Sequence, residues 1–358
     1  MLIREIFPPS NRKKSRLRAL LLLSGGLDSL LAGRVLEEQG VEIIGVTFES
    51  PFFSAVRAIK EARKMGWPLV VIDITEEEIE IVEKPKYGYG KNMNPCIDCH
   101  AQMVRLAGQL LDKYQARFIA TGEVLGERPK SQNWKALEIV EKESGLKGLV
   151  LRPLSARLLP ETEVEKRGWV KREKLLDIQG RSRKRQMELA EKFGLESYPT
   201  PSGGCLLTDP GFSARLKKLL HWRGWLKKED IWLLKVGRHF FAEKYWIVVG
   251  RNEGENRLLQ QWALPDDVRL TTISRKGPLV ILRFKGERQS AALKEAALLA
   301  IRYSQARGDD RAIVSWESRG EREELLINKP EWEKYLTLEE KSASPTIPYR
   351  ELSPPKNS

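Results

Sequence analysis

An apolar run that ends in a glycine turn, over residues 20–29, constrains the fold of this chain more than any other feature. Residues 19–23 read Ala-Leu-Leu-Leu-Leu, which is typical of a short strand buried in a parallel sheet that is covered on both faces. The run stops at Ser24-Gly25-Gly26-Leu27-Asp28-Ser29, and apolar residues at helical spacing follow over 30–38. A strand, a tight turn and a helix start predict a loop whose backbone amides can bind a phosphate.

The side chains of this loop favour a nucleotide site over an ordinary strand-to-helix turn. Gly25 and Gly26 alone would fit either structure, but the hydroxyls of Ser24 and Ser29 add donors for an anion. Asp28 would repel phosphate if it acted alone, so we expect it to act through Mg²⁺. The motif G-x-x-x-x-G-K-[ST] is absent from the sequence, which argues against an ordinary P-loop ATPase or kinase.

Alternating strand and helix patterns continue over the first half of the chain. We expect strands over residues 41–48, 68–74 and 117–120, with helices between them, and hence a doubly wound, mostly parallel α/β sheet. Ligands of such sheets bind at the carboxyl ends of the strands. Thr121 and Gly122, together with Asp73, are therefore predicted to lie at the same edge as the glycine loop.

Composition shifts divide the sequence into four parts. Residues 1–18 are a basic N-terminal arm, 19–210 the sheet domain, 211–320 a smaller α+β domain, and 321–358 a polar, partly disordered tail. Within the sheet domain we expect short strands over 136–140 and 149–151, followed by three short helices between 161 and 193, of which one covers 171–178.

The charge of the chain favours a polyanionic partner. Lys and Arg number 62 against 49 Asp and Glu, a net charge of +13, which suits nucleic acid. The candidate phosphate contacts on RNA are Arg181, Arg183, Lys184, Arg185 and Arg251. The run over 181–185 is equally compatible with a solvated helix face. Arg128 and Lys130, in the loop after Gly122, are candidates for stabilising phosphate charge.

Three cysteines occur in the sequence, and Cys96 and Cys99 form a C-x-x-C at a predicted helix start. Such a position lowers a thiol pKa, so both are candidate thiolates. The pair fits a redox couple, part of a zinc site or an iron–sulfur site, and His100 is too close in sequence to complete a zinc site comfortably. Cys205, in a glycine-rich loop, could also be a buried small apolar residue.

So few cysteines argue against a disulfide framework and for a reducing cytoplasm. The sequence contains no run of about 20 apolar residues, and we expect neither a signal peptide nor a membrane association.

The segment up to about residue 208 resembles the PP-loop ATP pyrophosphatases of the tRNA thiouridylase type. Ser-Gly-Gly-x-Asp-Ser is their signature, and Cys99 and Cys205 fall on the positions of their two catalytic cysteines. Cys96 departs from the thiouridylases, which usually have Asp there. This departure is similar to the three-cysteine members of the superfamily, for which the resemblance implies a [4Fe-4S] cluster on Cys96, Cys99 and Cys205. A persulfide or disulfide pair and structural zinc remain alternatives.

Residues 235–318 resemble the RNA-binding domain of the NFACT family. The matching pieces are Val-Gly-Arg-Asn-Glu-x-Glu-Asn over 249–256, Gly-Pro-Leu-Val-Ile-Leu over 277–282, and a helix that leads to Tyr303-Ser304. Interleaved Arg, Lys, Trp and Tyr would suit phosphate contact and base stacking. A generic α+β domain is the alternative.

The two resemblances imply an ATP-dependent tRNA sulfurtransferase. ATP and Mg²⁺ would bind at residues 24–29 with Thr121 and Gly122, and a uridine carbonyl oxygen would be adenylylated. Sulfur from a cysteine desulfurase persulfide or inorganic sulfide, held at the cysteine site, would then displace AMP. One alternative is an RNA-binding protein with a nucleotide-gated PP-loop platform and structural zinc. Another is a PP-loop enzyme with a nitrogen nucleophile.

Overall fold

The chain forms two compact units, residues 1–206 and 207–358, in the computed structural model. The structure describes residues 2–8, 17–195, 204–329 and 331. Each unit has a sheet and an apolar core of its own. The division falls shortly before the boundary expected after residue 210.

Strands and helices alternate along most of the first unit, as the sequence predicts. Its described strands are β1 (Leu2–Phe7), β2 (Arg18–Leu22), β3 (Glu42–Glu49), β4 (Leu69–Asp73), β5 (Phe118–Thr121) and β6 (Val150–Leu151). Its described α-helices are α1 (Leu27–Glu37), α2 (Val56–Met65), α3 (Thr75–Glu83), α4 (Cys96–Gly108), α5 (Trp134–Ser144), α6 (Glu163–Lys166) and α7 (Lys184–Lys192).

The strand order of this sheet is β1-β4-β3-β2-β5-β6, and every described pair is parallel except β1 with β4. Leu21 and Leu23 of the apolar run belong to the core cluster on one face of the sheet. Leu20 belongs to the cluster on the other face, and all three leucines are at most 2% exposed. The mostly parallel α/β sheet predicted from these leucines is confirmed.

The N-terminal arm expected over residues 1–18 is wrong for its first part. Residues 2–7 form β1, which pairs antiparallel with β4, Leu2 opposite Asp73 and Glu5 opposite Val70. The segment Leu-Ile-Arg-Glu-Ile-Phe is half-buried, as an edge strand with mixed apolar and charged residues can be. Residues 9–16 of the expected arm lie outside the described residues.

The strand expected over 136–140 is also wrong, because these residues lie inside helix α5. Asn133 caps this helix by accepting a hydrogen bond from the Ala136 amide at 2.9 Å. Buried Ala136, Leu137 and Val140 have the spacing of one helix face, so their burial does not need a strand. The helix expected over 171–178 is only a short 3-10 turn at Arg172–Lys174.

The second unit is the expected smaller α+β domain. Its described elements are α8 (Pro210–Arg223), α9 (Lys228–Leu233), β7 (Arg238–Phe241), β8 (Tyr245–Val249), α10 (Glu253–Trp262), β9 (Val268–Thr272), β10 (Val280–Phe284), α11 (Ser290–Arg302), β11 (Arg311–Ser318) and β12 (Glu321–Asn328). The strand order is β12-β11-β9-β10-β8-β7, and all described pairs are antiparallel. Helix α11 packs against this sheet.

The polar tail expected over 321–358 is wrong for its first eight residues. They form strand β12, which pairs with β11 along its full length. The charged residues at the start of β12 do not predict a strand, but an edge strand can carry charges without burying them. Position 330 and residues 332–358 lie outside the described residues. In the described ranges, no helix has both the length and the apolar character needed to cross a membrane.

Candidate nucleotide and cysteine sites

The glycine loop lies between β2 and α1 and closes on itself through its serines. The Gly26 amide donates to Ser24 Oγ at 3.2 Å, and Ser29 Oγ donates to the Gly26 carbonyl at 2.8 Å. Gly25 has φ of +74°, and a Cβ there would lie 2.8 Å from the Ala58 nitrogen. Only glycine suits this position, so the loop and the start of α2 are held close together.

The end of β5 packs directly against this loop. A Cβ on Gly122 would lie 2.5 Å from the Ser29 nitrogen and 2.6 Å from the Asp28 carbonyl carbon. Thr121, just before it, is buried. The structure therefore brings Thr121 and Gly122 to the loop. Asp73 instead bonds to the start of α3, where its Oδ1 accepts a hydrogen bond from the Thr75 amide at 2.8 Å.

Asp28 faces two arginines and a second carboxylate. Burial raises its pKa, while Arg183 and Arg128 oppose that shift. Nη2 of Arg183 lies 3.9 Å from Asp28 Oδ2, and no described residue bonds to the buried Oδ1. Burial and the charge of Asp28 also raise the pKa of Glu127, which Arg128 and Arg183 again oppose.

This arrangement can bind a metal ion and phosphates together. Two carboxylates whose pKa values burial raises, one with a buried oxygen that no described residue bonds to, suit a divalent cation such as Mg²⁺. The guanidinium groups of Arg128 and Arg183 suit phosphate oxygens. Lys130 is used elsewhere, because its Nζ donates to the Tyr87 carbonyl at 3.1 Å. Sequence reasoning missed Glu127, whose only signal was its place in the loop after β5.

The residues predicted to contact RNA belong to both units and have different surroundings. Arg183 turns towards Asp28, whereas Arg181 and Lys184 are exposed. Arg185 is half-exposed and forms an ion pair with Asp177 at 2.7 Å. In the second unit, Nε of Arg251 bonds to Glu255 Oε1 at 2.8 Å. Their contact with RNA stays a prediction.

The three cysteines converge at the start of α4. Cys96 is the first residue of this helix and accepts a hydrogen bond from Asn94 Nδ2 at 3.3 Å, and Cys99 is one turn further on and buried. The Leu206 amide, next to Cys205, bonds to the Phe52 carbonyl at 2.9 Å. Burial raises the pKa of Cys99 well above its ordinary value, and Cys205 and Cys96 raise it further. The lowered pKa expected from the helix start is therefore wrong for Cys99.

A buried carboxylate adjoins this cluster. Glu78 of α3 is 1% exposed, and burial raises its pKa to about 7, against the effects of Cys99 and His100. Three thiols and a carboxyl group in one place fit a bound cation by their chemistry, and thiolates favour an iron–sulfur cluster or zinc. Within the described ranges, no three of the His, Cys, Asp and Glu side chains are arranged around a metal position. The donors fit, but their side chains would have to turn.

His100 bonds not to a metal position but to Glu123. Its Nδ1 lies 2.9 Å from Glu123 Oε1, and Nε of Arg152 donates to Glu123 Oε2 at 3.0 Å. Burial alone would raise the pKa of Glu123, but Arg152 and His100 lower it to about 2. This network ties α4 to the end of β5. Sequence reasoning had weighed His100 only as a zinc ligand and had missed Glu123.

The loop, the sheet order and the cysteine cluster define a PP-loop α/β unit followed by an antiparallel-sheet unit. Residues 15–157 match the family described as "Thiamine biosynthesis protein (ThiI)", and residues 237–336 match the "NFACT protein RNA binding domain". The chain therefore contains a PP-loop domain of the ThiI type and an NFACT-type RNA-binding domain, and both resemblances are confirmed.

Individual relatives match parts of the chain. It is 28% identical over 268 residues to the "tRNA-specific 2-thiouridylase MnmA" of Cytophaga hutchinsonii, covering 66% of this chain and 65% of that protein. It is 30% identical over 148 residues to the "Probable tRNA sulfurtransferase" of Brevibacillus brevis, covering 39% of this chain and 35% of that protein. The chain thus spans less than two thirds of the length of each.

Among solved structures, the chain is similar to "U34-tRNA thiolase NcsA from Methanococcus maripaludis with its [4Fe-4S] cluster". The identity is 17% and the TM-score 0.32, over 61% of this chain and 71% of that one. At these values the likeness supports no inference about the cysteines of this chain.

Proposed function

We propose that this chain is an ATP-dependent tRNA sulfurtransferase that adenylylates a uridine carbonyl oxygen and then replaces it with sulfur. The observation that carries the proposal is the position of residues 121–123. Gly122 packs against Ser29 of the phosphate loop, while Glu123 bonds to His100 beside Cys99. Two sites of different chemistry therefore adjoin one strand end, as a reaction that uses both requires.

The first step takes place at the glycine loop. The uridine oxygen attacks the α-phosphorus of ATP, an oxygen–phosphorus bond forms, and pyrophosphate leaves with the electrons of the broken bond. Asp28 and Glu127 would hold Mg²⁺, which when bound neutralises phosphate charge. The loop amides and Arg128 would stabilise the remaining negative charge as it develops.

The second step takes place at the cysteine cluster. Cys96, Cys99 and Cys205 would hold a [4Fe-4S] cluster, which when bound supplies an iron without a protein ligand that can carry sulfide. Inorganic sulfide would supply the sulfur directly, whereas the outer sulfur of a cysteine desulfurase persulfide would be released as sulfide by two electrons from a thiol reductant, which becomes a disulfide. Cys99 is buried whereas Cys96 and Cys205 are partly exposed, so an incoming sulfur donor would reach the cluster from the side of the last two. Sulfur carried there would then displace AMP from the activated base.

The second unit would bind the tRNA. Its NFACT-type match and the net charge of +13 support this role. Loss of residues 207–358 is then expected to weaken tRNA binding. A tRNA-modifying enzyme with iron–sulfur chemistry would work in the reducing cytoplasm.

An RNA-binding platform with structural zinc is the second candidate, because three thiols and a carboxylate also suit zinc.

The experiment that distinguishes the two candidate functions combines metal analysis with an activity assay. Iron, zinc and acid-labile sulfide are measured after anaerobic purification of the parent chain and of Cys96→Ala. Thiolation and pyrophosphate release are then measured with tRNA, ATP and sulfide.

We expect about four irons per chain, lost in Cys96→Ala, and ATP-dependent thiolation by the parent. Asp28→Asn should abolish pyrophosphate release, whereas Asp112→Asn, at an exposed carboxylate, serves as the control. Stoichiometric zinc without thiolation would overturn the proposal in favour of the platform. Thiolation without iron or zinc would keep the enzyme but replace the cluster by a relay between Cys99 and Cys205. In that relay sulfide opens their disulfide to a persulfide and a thiol, the persulfide displaces AMP from the base, and the thiol forms the disulfide again as the thiouridine is released.

A further inference from the structure

Polar side chains at the start of helix α7 lie beside the nucleotide loop, and the proposed reaction steps do not use them. Gln186 is 0% exposed, and neither atom of its side-chain amide has a hydrogen-bond partner in the described part of the chain. The buried Nε of Arg183 and Oδ1 of Asp28 are equally unpaired among the described residues. Buried polar atoms in proteins are paired in the large majority of cases. Four such atoms together indicate a ligand that completes them.

Arg183 and Asp28 do not satisfy each other. Their nearest atoms, Nη2 and Oδ2, are 3.9 Å apart, beyond hydrogen-bond distance. Gln186 also favours the charged form of Asp28, although it completes no hydrogen bond of good geometry with it. The guanidinium therefore keeps donors for a further acceptor, and the amide of Gln186 keeps a donor and an acceptor.

We propose that Arg183 and Gln186 bind the pyrophosphate part of ATP, its β- and γ-phosphates. The identity of the nucleotide rests on the proposed function. A guanidinium presents two parallel N–H donors that match two phosphate oxygens, and a buried amide N–H can supply a third. The position of these side chains fits this role, because α7 packs against α1 and Arg183 faces Asp28, two residues after Gly26.

Exposure separates this role from RNA binding. The side chain of Arg183, which precedes α7, is 18% exposed, whereas that of Lys192 at the other end of the helix is 61% exposed and pairs with Glu38. A polymer such as RNA reaches an exposed cation more readily than one enclosed beside the glycine loop. Arg183 thus leaves the set of RNA contacts expected from the basic run over 181–185. Helix α7 also lies beyond residues 15–157, the part that matches the ThiI family.

The proposal predicts which ligands depend on α7. ATP and free pyrophosphate contact Arg183 and Gln186, whereas AMP has no β- or γ-phosphate to reach them. Once pyrophosphate has left, α7 loses its ligand while the adenylylated base remains at the loop. A test that compares pyrophosphate with AMP therefore isolates the role of α7 from that of the loop.

The experiment is isothermal titration calorimetry on the full chain without RNA. The ligands are MgPPi, the Mg²⁺ complex of α,β-methylene-ATP, and AMP. The variants are Arg183→Met and Gln186→Leu, both of similar shape to the parent residue, with Lys192→Met as the matched control. Binding of tRNA by each variant is measured separately.

We expect Arg183→Met to weaken binding of both pyrophosphate-containing ligands about tenfold or more, the usual effect of losing a charged hydrogen bond. Gln186→Leu should weaken them less, and AMP and tRNA affinity should stay at the parent value. Lys192→Met should match the parent with all three nucleotide ligands. Parent-like MgPPi binding by Arg183→Met, an equal loss for AMP, or a loss confined to tRNA would each overturn the proposal.

Failure of this inference is distinguishable from failure of the proposed function. If the parent binds the ATP analogue and Arg183→Met binds it equally well, only the role of α7 is refuted. If the parent binds neither the analogue nor pyrophosphate, the nucleotide site itself is refuted, and both proposals fall.

Discussion

Replacing Arg152 by methionine should destabilise the first unit by about 3–5 kcal/mol, the usual effect of removing one partner of a buried ion pair. The Arg152 side chain is 2% exposed, and its Nε donates to Glu123 Oε2 at 3.0 Å while Nη1 bonds to Glu141. Methionine keeps much of the aliphatic length, so the change removes charge and hydrogen bonds more than volume. Glu123 would be left buried with His100 and the Thr121 hydroxyl as partners, and without a guanidinium.

The directions of the pKa shifts agree with the sign of this effect. Burial raises the pKa of Glu123, yet Arg152 and His100 bring it from 4.5 down to about 2. The charged carboxylate is therefore favoured on folding, with Arg152 as the largest favourable contribution and His100 after it. The pKa of Arg152 is raised although burial would lower it, because Glu123 and Glu141 lie next to it. Both partners therefore indicate that attraction outweighs desolvation here.

Native-state hydrogen exchange measures this effect without assuming that the whole chain unfolds in one step. The free energy of opening is followed for the amides of β5, Phe118–Thr121, in increasing guanidinium chloride. Arg157→Met is the matched control, because Arg157 is 50% exposed and lies 3.9 Å from Asp177. Such a pair contributes at most about 1 kcal/mol. Equal losses in the two variants would refute the reasoning.

Three further predictions follow from geometry and charge. Because the pKa of Glu123 is lowered on folding, the stability that its charge gives to the first unit should be complete above pH 4.5 and decline as the pH falls towards 2. Hydrogen exchange of the β5 amides between pH 6 and 3 measures this decline, and an opening free energy that does not change with pH would contradict it. Gly122→Ala should weaken binding of the ATP analogue about tenfold or more in calorimetry, since its Cβ would overlap backbone, while Gly308→Ala, with open space around it, should bind normally. Arg283→Met should lower the opening energy of β10 by about 3–5 kcal/mol and leave β5 unchanged, because it removes the guanidinium that pairs with buried Asp267 and one of the two that pair with buried Asp230. Unchanged exchange in β10 would count against it.

The parallel sheet could be predicted from sequence because its strands are buried on both faces. The run at 19–23 is apolar throughout, and such a run has few alternatives once a glycine turn and a helix follow it. Edge strands give no such signal. β1 and β12 are partly exposed and mix charged with apolar residues, so their patterns resembled an arm and a tail. Their pairing partners, not their own residues, make them strands.

Helix α5 shows a different limit. The segment 136–140 is mostly apolar and contains Ile and Val, which suit a strand by propensity. The hydrogen bond by which Asn133 caps α5 and the packing of α5 against α4 favour a helix over a strand. A local pattern five residues long does not contain that information, because the deciding contacts come from another helix.

The candidate site was predictable where it depends on the chain next to the motif. The glycine loop and its contact with Gly122 follow from the rule that ligands gather at the carboxyl ends of parallel strands. Arg183 could not be placed, because a run of basic residues does not reveal which one turns inward. Glu78 and Glu123 were missed for a related reason, since an acidic residue in sequence gives no sign that it will be buried beside a thiol or an imidazole.

The peptide over residues 121–123 has a consequence for substrate choice. Gly122 touches the phosphate loop and Glu123 holds His100, so the span between the nucleotide and the cysteines is fixed by consecutive residues of one strand end. Under the proposed chemistry, the base must lie between the two centres, with its activated carbon open to the cysteines while its oxygen is bonded to the α-phosphorus. Changes in the second unit would then alter which RNA is held, whereas changes at residues 121–123 would alter how the base lies between the two centres.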